Sequence, residues 1–276
     1  FRRVLFRSTD SMVRTIVRCC RMGWTLALAG ILVACATPSN QVDVTAARDI
    51  MTESDKSPER KRANIRLELA LAYFQEGKTT IALDEVKLAL AADPSYFDAH
   101  NLRGLIYMGL NDLALAQASF NKALSLRPRD PDVLHNLGWM KCQQGMYAQG
   151  IAHFEDALAN PQYGARAKSL MTLGLCQMRA GLRSQAEANL QKAYEYDAGN
   201  PVTGFNLANL LFQRGDLTRA RFYIRRLNNS ELANAESLWL GIRIEKRLGN
   251  ADAVAQLGLQ DRKSTRLNSS HQIISY

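Results

Sequence analysis

The residues of this sequence best suited to chemistry are its five cysteines, at positions 19, 20, 35, 142 and 176, and its histidines, at 100, 135, 153 and 271. A zinc hydrolase of the HExxH type needs two histidines one helical turn apart with a general base between them, and His100, His135 and His153 have no such spacing. No GxSxG turn presents a serine, and no glycine-rich loop ending in Lys-Ser or Lys-Thr cradles a phosphate. Glu155 and Asp156 read as a solvated helix face. The expectation is therefore a protein that is not an enzyme, with no catalytic residues, metal or other cofactor and no small-molecule substrate. Thiol chemistry remains. Cys142 and Cys176 are separated by 33 residues, and two readings stand side by side: a disulfide, which an oxidising compartment permits, or two separate buried thiols.

Cys35 reads differently. From Met12 a short basic stretch (Arg14, Arg18, Arg21) runs into the apolar segment Trp24 to Val33 and then into small residues. That is the outline of a secretory signal peptide over 12–34, too short to span a bilayer, which needs about 20 apolar residues. Leu32-Val33-Ala34-Cys35 resembles the bacterial lipobox, whose cysteine is acylated and becomes the first residue of the mature protein. Several acyl chains together anchor stably where one does not. Ala36, rather than Asp, after that cysteine implies an outer-membrane destination facing the periplasm. Residues 35–62, polar and charged with Pro38 and Pro58, read as the lipidated cysteine and a flexible tether. Cys19 and Cys20 leave with the signal. Residues 1–11 and 261–276, including His271, match nothing in the pattern between them and read as non-native read-through.

The net charge of +9 invites a nucleic-acid reading, but +2, +3 and +2 of it lie in residues 1–11, 12–34 and 261–276. The remaining +2 is scattered over the rest of the chain, with no basic stripe to release counterions from a phosphate backbone. No nucleic-acid partner is expected.

The elements that would position Cys142 and Cys176 are repeats. Small residues recur at Ala70, Gly104, Gly138, Gly174, Ala208 and Gly241, spaced by 34, 34, 36, 34 and 33 residues. A second set follows about twelve later, at Ala82, Ala116, Gly150, Ala186, Ala220 and Ala253, with larger apolar residues four beyond, among them Phe120 and Phe154. Turn glycines stand at Gly77, Gly145, Gly181 and Gly215, and Pro94 and Pro128 close the first two units. A period of 34 with paired small residues is that of tetratricopeptide (TPR) helical hairpins, in which two helices cross where only Gly or Ala fits. The predicted fold is all-α: a right-handed superhelix of about six hairpins over 63–260, with units near 63–96, 97–130, 131–166, 167–200, 201–233 and 234–260. Cys142 and Cys176 then lie late in the first helices of units three and four, parallel neighbours about 8–10 Å apart.

Positions that point into the groove of such a superhelix hold Leu71, Phe74, Leu105, Met108, Trp139, Leu175, Met178, Phe205 and Phe212. A surface so apolar suits an amphipathic or extended peptide, with Trp139, Met178 and Phe212 the foremost contacts. A cationic clamp for a C-terminal carboxylate is not expected, since Arg179 and Lys168 are the only candidates.

Three stretches are more specific than the repeat consensus: Asn136-Leu-Gly-Trp-Met-Lys-Cys-Gln-Gln-Gly145, Ala159-Asn-Pro-Gln-Tyr163 and Ser237-Leu-Trp-Leu-Gly-Ile-Arg-Ile-Glu245. With the lipobox, they make residues 63–260 resemble the PilF/PilW family of type IV pilus biogenesis and stability lipoproteins. Met140 and Lys141 depart from the aromatic and aliphatic residues common there. The resemblance implies a pilotin-like outer-membrane lipoprotein that helps the pilus secretin localise or multimerise, or that stabilises fibres, with secretin or other pilus components as partners. It also implies pairing of Cys142 with Cys176. Periodicity alone serves equally a general periplasmic adaptor for envelope proteases or cell-wall enzymes.

Overall fold

A computed structural model describes residues 56–273, with side chains to residue 262. The signal segment, the lipobox cysteine Cys35, the tether up to residue 55 and the stretch 1–11 lie outside the described residues.

Twelve helices among the described residues form six antiparallel hairpins: α1 (Pro58–Gln75) with α2 (Thr79–Ala92), α3 (Phe97–Gly109) with α4 (Leu113–Leu126), α5 (Pro131–Gln143) with α6 (Tyr147–Leu158), α7 (Arg166–Arg179) with α8 (Arg183–Tyr196), α9 (Pro201–Arg214) with α10 (Leu217–Asn228), and α11 (Ala235–Arg247) with α12 (Ala251–Ile273). They stack into an all-α TPR superhelix. Both ends of this array exceed the boundaries read from the repeat. The first helix begins at Pro58 because Ser57 accepts from Arg60 N and Arg60 pairs with Asp93 beyond α2; the last runs on to Ile273.

Local sequence sets the helix limits. Asp130 accepts from the amides of Asp132 and Val133 at 3.1 and 3.2 Å ahead of Pro131, and Asn200 does the same for Thr203 at 3.0 Å ahead of Pro201. Each cap satisfies an amide the helix itself leaves free, and proline at the first position costs no hydrogen bond. Within each hairpin the chain reverses through a left-handed residue: Gly77, Asn111, Gly145, Gly181, Gly215 and Gly249, with φ between 60° and 90°. Asn111 is the non-glycine member, tolerated because asparagine enters this region more readily than other side chains.

The small residues lie where the helices of a pair cross. A Cβ on Gly104 would collide with the ring of Phe120, and one on Gly174 would lie 2.7 Å from Leu190 Cγ. Phe120, Phe154, Leu190 and Ile224 are fully or almost fully buried and anchor successive local cores along the stack. The longer third unit spends its extra residues in the link 159–165. Tyr163 folds inward there to 5% exposure, and Arg166 donates to the carbonyls of Leu158 and Asn160 at 3.0 and 2.9 Å, capping the end of α6.

Candidate functional site

Two of the histidines, His100 and His135, are engaged in structure. His100 Nε2 lies 2.9 Å from Pro94 O with Arg103 on its other nitrogen, and His135 Nδ1 lies 2.7 Å from Ser169 Oγ, which also meets Tyr163 OH at 3.0 Å. The His135–Ser169 contact joins α5 to α7 near their starts. Near their ends Cys142 and Cys176 are bonded to one another, their Cα atoms 5.7 Å apart, within the range a disulfide spans. Two parallel helices are thus tied at both ends, and Trp139 stands between the ties.

His135 is 5% exposed, and burial, with Lys168 adding repulsion, lowers its pKa to about 4. In the unfolded chain it titrates near 6.5, so between these values the unfolded state takes up a proton that the folded state refuses. This contribution is fully present above pH 6.5 and is lost as pH falls toward 4, by up to about 3 kcal/mol. Urea unfolding at pH 7 and pH 4.5 should show the loss, and His135→Gln should remove most of it. An undiminished pH slope in that variant would assign the effect elsewhere.

Seven of the nine expected groove residues (Phe74, Leu105, Met108, Trp139, Leu175, Met178 and Phe205) are half-buried and Leu71 is 45% exposed. They lie on the first helices α1, α3, α5, α7 and α9, which line one face of the stack. The ninth departs from expectation: Phe212 is only 6% exposed, sunk in the core formed by α8 to α11 and covered by the guanidinium groups of Arg243 and Arg247, 4.7 and 5.1 Å from its ring centre. Phe212 is a floor under two arginines rather than a contact surface. Arg179 lies 5.3 Å from the ring centre of Trp139, and Lys168 is exposed at the start of α7.

The last unit keeps its crossing at Gly241 but counts differently from its turn. The turn residues Gly215 and Gly249 are 34 apart, so counted from the turn it is Ile242 that stands where Gly104 and Gly138 do in their units. Gly241 is nevertheless the residue buried at the crossing, where a Cβ would lie 3.2 Å from Leu257 Cδ1 of α12 and 2.6 Å from Asn228 Nδ2 of α10. The count from the turn also brings two unforeseen residues into line with the groove positions. Trp239 aligns with Phe205 and is 62% exposed, and Arg243 aligns with Trp139. The helix is held by buried Glu245, which accepts from Arg221 at 2.8 Å and forms an ion pair with Arg225 at 3.3 Å, both of α10. The regular spacing of Gly249 was the signal that would have found both.

The TPR family matches residues 67–132 and 177–238. The type IV pilus assembly protein PilF of Pseudomonas aeruginosa is 29% identical over 217 residues, which are 79% of this chain and 86% of that protein. Its solved structure superimposes with a TM-score of 0.69 at 28% identity, covering 74% of this chain and 92% of that one. The crystal structure of PilW, described as a widely conserved type IV pilus biogenesis factor, is 31% identical with a TM-score of 0.64, covering 72% of this chain and 91% of that one. The chain belongs to the PilF/PilW family. The PilF/PilW match covers nearly the whole length of both solved relatives.

Proposed function

We propose that this protein is a non-enzymatic scaffold for type IV pilus biogenesis, held at the outer membrane by lipid on Cys35 and facing the periplasm. Its role in this reading is to assist secretin localisation and multimerisation, or pilus stability, by binding pilus proteins along the first-helix groove. The observation that carries it is the 31% identity with PilW over 91% of that chain, alongside the match to PilF. The half-buried apolar residues from Phe74 to Phe205 support the groove as the binding face, because they retain accessible surface at positions a core would seal.

The test compares heat- and detergent-resistant secretin multimer in outer membranes of cells with and without the gene, and with Trp139→Ala or Cys35→Ser. Loss of multimer at unchanged monomer is expected in the deletion, and partial loss in Trp139→Ala with helical content retained. Cys35→Ser should release the protein from the membrane fraction. Unchanged multimer and unchanged piliation in the deletion would overturn the proposal, and a collapsed fold in Trp139→Ala would show that residue to be core.

A further inference from the structure

The groove changes character along its length. In the first two hairpins it presents Leu71, Phe74, Leu105 and Met108; from the third onward arginines stack on aromatic rings. Arg179 of α7 lies over Trp139 of α5, and Arg243 and Arg247 of α11 lie over Phe212 of α9. Each stack bridges two neighbouring first helices, so both face the groove. A guanidinium laid on an aromatic face has its plane fixed, while the N–H edge that matches a carboxylate remains free.

Whether that edge is already occupied decides what the stacks can do. Four other arginines of these hairpins are already paired, Arg214 and Arg219 with Glu187 at 2.8 and 3.2 Å and Arg221 and Arg225 with Glu245. Among the described residues, Arg179 and Arg243 make no ion pair, and both are exposed. Arg247 donates to Phe212 O at 3.4 Å, which steadies the second stack. Two oriented, uncompensated guanidinium groups on one groove complement negative charge, and the planar group they fit edge-on is a carboxylate.

We propose that the groove of hairpins three to six binds an acidic, extended segment of a protein partner, placing one carboxylate at Arg179 and a second at Arg243. This rests on reading the groove as the protein-binding face and adds the chemistry of what it holds. The two stations are two first-helix steps apart, roughly 20 Å at about 10 Å per step. An extended chain covers that distance in about six residues. Trp239, one turn before Arg243 and 62% exposed, offers an apolar seat for a side chain next to the second carboxylate.

The test uses the full chain at low ionic strength and an end-capped peptide of about nine residues, serine and alanine apart from two glutamates about six positions apart. A second peptide carries glutamines in their place. Binding is read from the indole N–H signals of Trp139 and Trp239 in a nuclear magnetic resonance titration. The glutamate peptide should move both signals and bind about tenfold more tightly than the glutamine peptide, the value of one charge-assisted hydrogen-bond pair. Arg179→Gln should abolish the shift at Trp139 and Arg243→Gln that at Trp239, whereas Lys192→Gln on α8 should change neither. Equal binding of the two peptides would overturn carboxylate recognition while leaving a peptide groove in place, and no shift with either peptide would overturn the acidic-segment proposal outright. Secretin multimer levels judge the broader functional reading independently of both.

Discussion

Replacing Cys142 and Cys176 together by alanine should lower unfolding stability by about 3–4 kcal/mol, the chain-entropy value for closing a loop of this length. At this chain length that corresponds to a fall in melting temperature of roughly 10 °C. The bond joins positions 34 apart in sequence, and both cysteines are essentially buried among Phe154 and Leu173. Its removal therefore frees the unfolded chain and also loosens packing in the folded one. The local consequence matters more for function, because α5 and α7 carry Trp139 and Arg179 and would be tied thereafter by the His135–Ser169 contact at one end only. Thermal unfolding of the parent with and without reductant, beside the double variant, provides the check. Identical melting temperatures in all three would show that the bridge constrains nothing.

Gly150→Ala should cost about 2 kcal/mol net, despite the helix propensity alanine gains over glycine, roughly 1 kcal/mol. Units one, two, four and five have alanine at this place, Ala82, Ala116, Ala186 and Ala220, each fully buried. In the third hairpin the space is taken. A Cβ on Gly150 would collide with Cys142 Sγ and lie 2.8 Å from Gly138 O and 3.2 Å from Cys142 N. Two of those three neighbours are backbone, so a side-chain rotation cannot relieve the clash and α5 and α6 must separate. Removing the disulfide should rescue part of the loss, leaving the encounter with Gly138 O, and a double-mutant cycle would measure that coupling. A Gly150→Ala protein as stable as the parent would show that the crossing has slack the coordinates do not suggest.

Both predictions concern one hairpin in which the repeat departs from its own pattern, and the departures follow from a single cause. The disulfide sulfur replaces a methyl group, which is why glycine stands at 150 where alanine is the rule. That substitution was visible as a letter in the sequence, but its reason was not, since it depends on where Cys142 sits relative to another helix.

The period of 34, the paired small residues and the turn glycines determined by themselves that the chain is a stack of helical hairpins, because each reflects a local steric requirement: two backbones crossing, or a residue with positive φ. Of the nine residues read onto the first helices as groove positions, eight retain exposure. Tertiary structure alone decided the rest. Phe212 has the right type and spacing for a contact, yet two arginines from the next hairpin cover it. Trp239 and Arg243 reach the surface because of the rotation at which Glu245 holds α11 against Arg221 and Arg225. Local pattern specifies which face of a helix is apolar; the rotation of that helix, and so which charges meet which rings, is set by neighbours distant in sequence whose packing no periodicity encodes.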